Sequence, residues 1–191
     1  MKEIAVFWLR QGTLSSDHLL RSAASRFTGL DRAEFETVRE FGKKPYFLRH
    51  PELSASVSHS GGIWAAALTP DGPVGLDIQL PVRSPRRDAI ARRYFHPKEA
   101  AAVLSSPDPD AAFSRIWCRK EAAAKLSGRG IDGAFGTFDV TSPDPVTVFG
   151  EPLYLADFSL PADSGPLYAC LAFQKPCSPR MVPLTVESEL S

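Results

Sequence analysis

The segment FSRIWCRKEAAAKLSG, residues 113–128, has helical spacing and an apolar stripe interrupted by charge. Phe113, Ile116 and Trp117 recur at one-face intervals, and the stripe continues through Lys120, Glu121, Ala124 and Lys125. That pattern turns a carboxylate and two ammonium groups toward the protein and leaves Arg115, Arg119 and Ala122 on the other side. Upstream, VGLDIQL alternates strictly: Val74, Leu76, Ile78 and Leu80 share one strand face, Gly75, Asp77 and Gln79 the other. Asp77 and Gln79 then point the same way about 7 Å apart, close enough for two side-chain oxygens to reach one ion. A third stretch, SVSHS, sets His59 between Ser58 and Ser60. Each has an ordinary reading: an edge-strand aspartate, an ion-paired helix flank whose stems cover the core, a hydrogen-bonded strand end. Together they supply a cation site, phosphate ligands and a proton acceptor, the parts that phosphoryl transfer uses.

Composition limits the alternatives. A chain of 191 residues, 43% hydrophobic and 23% charged, matches a soluble globular protein with one substantial core or two small ones. Its 22 basic residues balance 22 acidic ones, so no whole-protein field draws nucleic acid, and a charged partner must be met by a local patch. Cys118, Cys170 and Cys177 are too few and too scattered for a disulfide framework or a zinc site, which fits a reducing compartment. The opening MKEIAVFWLR has an apolar run shorter than a secretory h-region and far shorter than a membrane span. The expectation is a cytoplasmic protein with no membrane partner.

Periodicity places the elements that would carry these residues. Residues 4–9 read as a buried strand and 17–28 as a helix, capped by Ser16 or Asp17 and closed by Gly29. GKKPYFLRHPEL reads as a polar, proline-punctuated loop. SASVSHS and GGIWAAAL read as two strands joined by a tight turn over Gly61 and Gly62. VGLDIQL is a third strand, residues 86–93 and 97–104 are helical, and SSPDPDAA links them to the charged helix. Beyond Gly128 the expected strands cover 136–140, 146–149, 153–158 and 167–173, and the tail from Pro176 is expected to fray.

FGKKP, SVSHS, VGLDIQ and WCRKEAAAKLSGRG, in that order, resemble the successive motifs of the 4'-phosphopantetheinyl transferase superfamily, in particular its surfactin-synthetase-activating type. The family's Trp-x-x-Lys-Glu-x-x-x-x-Lys motif is matched by Trp117, Lys120, Glu121 and Lys125, and the resemblance covers roughly residues 13–140. It implies an α+β fold of two similar α/β lobes related by a pseudo-two-fold, with the active site in the cleft between them. On this chain the lobes would be about 1–70 and 71–175, with a flexible tail at 176–191. It also implies Mg²⁺-dependent transfer of the 4'-phosphopantetheine arm of coenzyme A to a serine of an apo acyl or peptidyl carrier protein, releasing adenosine 3',5'-bisphosphate. Carried over, Asp77, Gln79 and Glu121 would hold Mg²⁺, and Glu121 would receive the serine proton. Lys125 would neutralise the phosphate under attack, while Lys44, Ser58, His59, Lys120 and Lys125 would bind coenzyme A.

Three positions depart from the family pattern. Gln79 stands where many members have a second metal-binding glutamate, so the site carries one negative charge fewer. Ser56 replaces the usual asparagine before Ser-His-Ser. GKKP has an extra lysine, so Lys43 and Lys44 both qualify for the family position. Twelve residues precede Thr13, where many members have a longer basic stretch that helps hold the coenzyme A 3'-phosphate, and Arg10 is the nearby substitute. A protein of this fold that binds coenzyme A or a carrier protein without transfer is the alternative. Retention of Lys120, Glu121, Lys125, Asp77 and His59 favours activity. A partner surface is expected on VRSPRRDAIARRYF, where Arg83, Arg86, Arg87, Arg92 and Arg93 accompany Asp88.

Overall fold

The computed structural model describes residues 3–10, 15–129, 134–142, 144–160 and 167–184. Its strands are β1 (Ala5–Arg10), β2 (Thr37–Val38), β3 (Tyr46–Phe47), β4 (Ser54–Ser60), β5 (Ile63–Thr69), β6 (Val74–Gln79), β7 (Val146–Val148), β8 (Glu151–Leu160), β9 (Leu167–Phe173) and β10 (Arg180–Pro183). Its helices are α1 (Ser16–Thr28), α2 (Arg87–Tyr94), α3 (Pro97–Ser105) and α4 (Pro109–Ser127). The fold is α+β. One sheet has the order β10-β1-β5-β4, the other β6-β9-β8-β7. All pairs in both sheets are antiparallel except β1 with β10.

The alternation read from the sequence decides how the layers stack. Ile4, Val6, Ile63, Ala65 and Ala67 from the first sheet meet Val74, Leu76, Ile78, Ala169 and Leu171 from the second in one apolar cluster, so the sheets face each other. The opposite face of the first sheet takes α1 through Leu19, Leu20, Ala23 and Ala24. The outer face of the second sheet takes α4, backed by α2 and α3. The order is therefore helix, sheet, sheet, helix. Gly61 and Gly62 turn the β4–β5 hairpin with φ of 56° and 74°, the left-handed region that a two-residue turn requires.

Five expectations change. The linker SSPDPDAA is shorter than expected, because α4 begins at Pro109, capped by Asp108, whose side chain accepts from the Ala111 amide. The α1 cap is Ser15, whose side chain accepts from the His18 amide, with Gly29 closing the helix as expected. The loop at 42–53 contains β3, paired with β2. Residues 136–140 form turns and bends, because the Phe138 carbonyl and the Val140 amide are spent on Lys120 and Glu99 instead of a ladder. Residues 180–183 are not frayed: β10 lies parallel along β1, the Leu184 amide donates to the Trp8 carbonyl, and Arg180 pairs with Glu3. A free β1 edge finds its partner there.

Helix α4 is buried on more of its circumference than a single stripe allows. Ala122, expected outside, is fully buried together with Ala123 and Ala124. The reason lies in Gly75: a Cβ built there would come within 1.9 Å of the Ala122 carbonyl oxygen and 2.6 Å of the Leu126 amide nitrogen. The missing side chain lets the helix backbone settle onto β6, which brings the charged residues of α4 beside Asp77.

Candidate functional site

The site forms where β4, β6 and α4 meet. β4 reads Ser-Ala-Ser-Val-Ser-His-Ser, so its four serines share the face toward the second sheet. Their hydroxyls accept from the backbone amides of the edge strand β6: Val74 to Ser54 at 3.3 Å, Leu76 to Ser56 at 2.9 Å, Ile78 to Ser58 at 3.3 Å and Leu80 to Ser60 at 3.0 Å. Side-chain oxygens thus complete the edge of one sheet from the strand of another. This serine ladder fixes the register of β6 and with it the position of Asp77.

Asp77 is 6% exposed and lines an open pocket of about 430 Å³ with Ser58, His59, Gln79, Glu121 and Lys125. Its Oδ1 accepts from Ser58 Oγ at 2.8 Å and from Lys125 Nζ at 2.8 Å. Its Oδ2 is buried with no hydrogen-bond partner among the described residues. Trp117, Glu121 and Lys125, four residues apart on α4, all reach the pocket wall. The Gln79 amide nitrogen donates to the Leu80 carbonyl at 3.0 Å, which leaves Oε1 as the atom it offers to a ligand.

Burial, and next the Asp77 carboxylate, push the Glu121 carboxyl up to about 7, against an opposing pull from Lys125. A carboxyl raised in the folded state holds its proton more tightly there than in the unfolded chain. Stability is therefore lost as pH rises from 4.5 to about 7, the interval between the ordinary and folded values. Glu121→Gln is expected to match the parent below about pH 4 and to be more stable at pH 8 by on the order of 2 kcal/mol. Urea midpoints at the two pH values measure this. A variant no more stable at pH 8 would contradict a desolvated Glu121.

The remaining sequence-derived residues divide. His59 lines the pocket and stacks on Trp64, ring centroids 4.7 Å apart. Lys120 does not line it. It is fully buried, paired with Glu99 at 2.9 Å, donates to the Phe138 carbonyl at 2.8 Å, and sits 4.0 Å from the Phe138 ring centroid. The residue expected to bind coenzyme A thus lies in the α3 contact, away from this pocket. One helical position (100°) separates Lys120 from Glu121, enough to send one into the α3 contact and the other into the pocket. Lys44 also lies away from the pocket lining. Its ammonium donates to the Val74 carbonyl at 2.7 Å, and burial pulls its pKa down to about 8. Lys43 is exposed and paired with Glu40, so of the two lysines only Lys44 contacts β6. Ser16 and Arg39 line the pocket too, and no motif marked either as a site residue. Nor did it mark Glu99, although PKEA opens α3 with a capping box in which Glu99 accepts from the His96 amide.

Residues 73–162 match the family model of the 4'-phosphopantetheinyl transferase superfamily. This segment holds Asp77, Gln79, Glu121 and Lys125, while Ser58 and His59 lie before it. Two curated relatives come from Bacillus subtilis. A 4'-phosphopantetheinyl transferase is 39% identical over 88 residues, covering 46% of this chain and 38% of its own length. The 4'-phosphopantetheinyl transferase Sfp of strain 168 is 33% identical over 94 residues, 49% of this chain and 40% of its own. The matched segments span about two fifths of those relatives. Among the described residues no helix is long and apolar enough to cross a membrane.

Proposed function

We propose that the chain moves the 4'-phosphopantetheine arm of coenzyme A onto a serine of an apo acyl or peptidyl carrier protein. The observation that supports this best is the meeting of Asp77, Glu121 and Lys125, up to 48 residues apart in sequence, on one pocket beside the His59–Trp64 stack. Two carboxylates, an amide oxygen and an unpartnered buried Asp77 Oδ2 suit a hard divalent cation, and Asp77, Glu121 and Gln79 would hold Mg²⁺. Bound there, Mg²⁺ would neutralise charge on the pyrophosphate.

The chain's own residues account for the rest. Lys125, presented by α4 at the Asp77 carboxylate, offers positive charge to the phosphate that carries pantetheine. His59 offers a ring nitrogen to phosphate oxygens from the open side of the pocket. Glu121 takes the proton of the incoming serine hydroxyl, directly or through one water. The serine oxygen bonds to phosphorus, the bond from that phosphorus to the bridging oxygen breaks, and adenosine 3',5'-bisphosphate leaves. The bilobed reading of the fold, the coenzyme A contact at Lys44 and a cytoplasmic setting belong to the same proposal. The test is nucleotide chromatography after incubation with coenzyme A, Mg²⁺ and an apo carrier protein. Adenosine 3',5'-bisphosphate should appear in step with holo carrier and vanish with EDTA. Its absence alongside modified carrier would contradict the pyrophosphate cleavage.

The partner surface is narrower than the arginine count suggests. Arg87 is tied to Asp110 at 2.6 Å and to Asp88 at 2.8 Å, whereas Arg83, Arg86, Arg92 and Arg93 are exposed. An acidic carrier protein would be steered by these four. Arg86→Glu with Arg92→Glu is expected to raise the carrier KM about tenfold at low salt and leave the coenzyme A KM unchanged. An unchanged carrier KM would remove α2 from the interface.

A further inference from the structure

Ser58 would bind a phosphate if its hydroxyl were free, but that hydroxyl is spent. It has one proton and two lone pairs, and three partners claim them: it donates to Asp77 Oδ1 at 2.8 Å, accepts from Lys125 Nζ at 3.0 Å and accepts from the Ile78 amide at 3.3 Å. Ser58 is 7% exposed, and its neighbours in the ladder reach only β6 amides among the groups of this site. We infer that Ser58 is a positioning residue that locks one oxygen of Asp77, together with Lys125, and so leaves Oδ2 as the oxygen that takes a divalent cation. The inference rests on the metal-assisted reading of the pocket and assigns Ser58 to the carboxylate instead of the substrate.

The physical case is a matter of which lone pairs remain. With Oδ1 holding both a hydroxyl and an ammonium donor, rotation of the carboxylate would break two hydrogen bonds, so the torsion of Asp77 is fixed before any ligand arrives. The buried, unpartnered Oδ2 is the signature left behind. Without the Ser58 hydroxyl, Lys125 loses its second acceptor and can follow either oxygen, and the cation must then compete with the ammonium group for Oδ2.

Mn²⁺ binding, followed by electron paramagnetic resonance with and without coenzyme A, separates this from a purely structural ladder. Ser58→Ala is expected to weaken Mn²⁺ binding 10- to 100-fold, the range typical of lost outer-shell partners, and Ser58→Thr to restore most of it. Ser56→Ala, which removes a ladder rung that touches only the Leu76 amide, should bind Mn²⁺ as the parent does. Circular dichroism reports the fold. If Ser58→Ala does not fold, Ser58→Cys, with a weak thiol donor, carries the same comparison. Equal losses in the Ser56 and Ser58 variants, parent-like binding in Ser58→Ala, no rescue by a folded threonine variant, or no Mn²⁺ binding by the parent would each overturn the inference. A parent that binds Mn²⁺ with this contrast yet modifies no carrier protein would count against transfer and leave the role of Ser58 standing.

Discussion

Lys120→Met is expected to lower stability by about 3–5 kcal/mol, the usual cost of leaving one member of a buried ion pair without its partner. The pair has no access to water: both side chains are fully buried. Glu99 would keep the His96 and Val140 amides but lose its countercharge, and the Phe138 carbonyl would lose its donor. Burial already pulls the Lys120 pKa down, against the opposing effect of Glu99, so solvation of the ammonium group is poor even with its partner present. The double variant Lys120→Met, Glu99→Gln should recover part of the loss, because the unpaired buried charge is gone, although the amide's one carbonyl oxygen can accept from only one of the two backbone amides that the separate carboxylate oxygens serve. Urea unfolding of the parent, Lys120→Met and the double variant reads this directly. A Lys120→Met protein of parental stability that fails to bind coenzyme A would restore the ligand-binding role that the sequence suggested.

Asp77→Ala and Glu121→Gln are each expected to cut the transfer rate by at least about 10³, equivalent to roughly 4 kcal/mol of transition-state stabilisation. Asp77 holds Lys125; in the proposed mechanism it also contributes charge at the cation and Glu121 accepts the proton, and neither role would survive an apolar or neutral replacement. Lys125→Ala should lose on the order of 3 kcal/mol, as removal of an electrostatic donor does elsewhere. Gln79 carries no charge, so Gln79→Ala should be only partly impaired, and Gln79→Glu should lower the Mg²⁺ needed for half-maximal rate. Steady-state rates across a Mg²⁺ titration decide among these, with circular dichroism as the control for folding. Near-normal rates in Asp77→Ala and Glu121→Gln would return the cluster to a structural ion pair. A Gln79→Ala protein as inactive as Asp77→Ala would give that amide a different task.

The strands around the site were legible because their periods are clean. Val74 to Gln79 alternates without interruption, and the Gly61–Gly62 turn fixes β4 and β5 on either side of it. The charged helix was legible as a helix, but the direction of each charge was not. Spacing alone places Lys120 and Glu121 on neighbouring positions, and only the approach permitted by Gly75 and the presence of Glu99 on α3 separate them. Long-range partners of this kind leave no periodic trace. The serine ladder did leave one, a serine at every second position from Ser54 to Ser60, yet its meaning depends on a second sheet edge that one strand cannot reveal. The strand expected at 136–140 failed for a related reason: buried Phe138 and Val140 resemble strand residues, but their backbone serves the buried ion pair. β10, Arg-Met-Val-Pro, was hidden by its shortness and by Pro183, which an edge position tolerates.

Transfer of phosphopantetheine by this chain, with Asp77 essential to it, is the proposal on which the site's assignment stands. Intact mass spectrometry of a panel of apo carrier proteins, each incubated with coenzyme A, Mg²⁺ and either the parent or Asp77→Ala, tests it most directly. At least one carrier protein should gain the mass of a single phosphopantetheine arm with the parent and none with the variant. A panel left unmodified by the parent, or modified equally by both proteins, would contradict it.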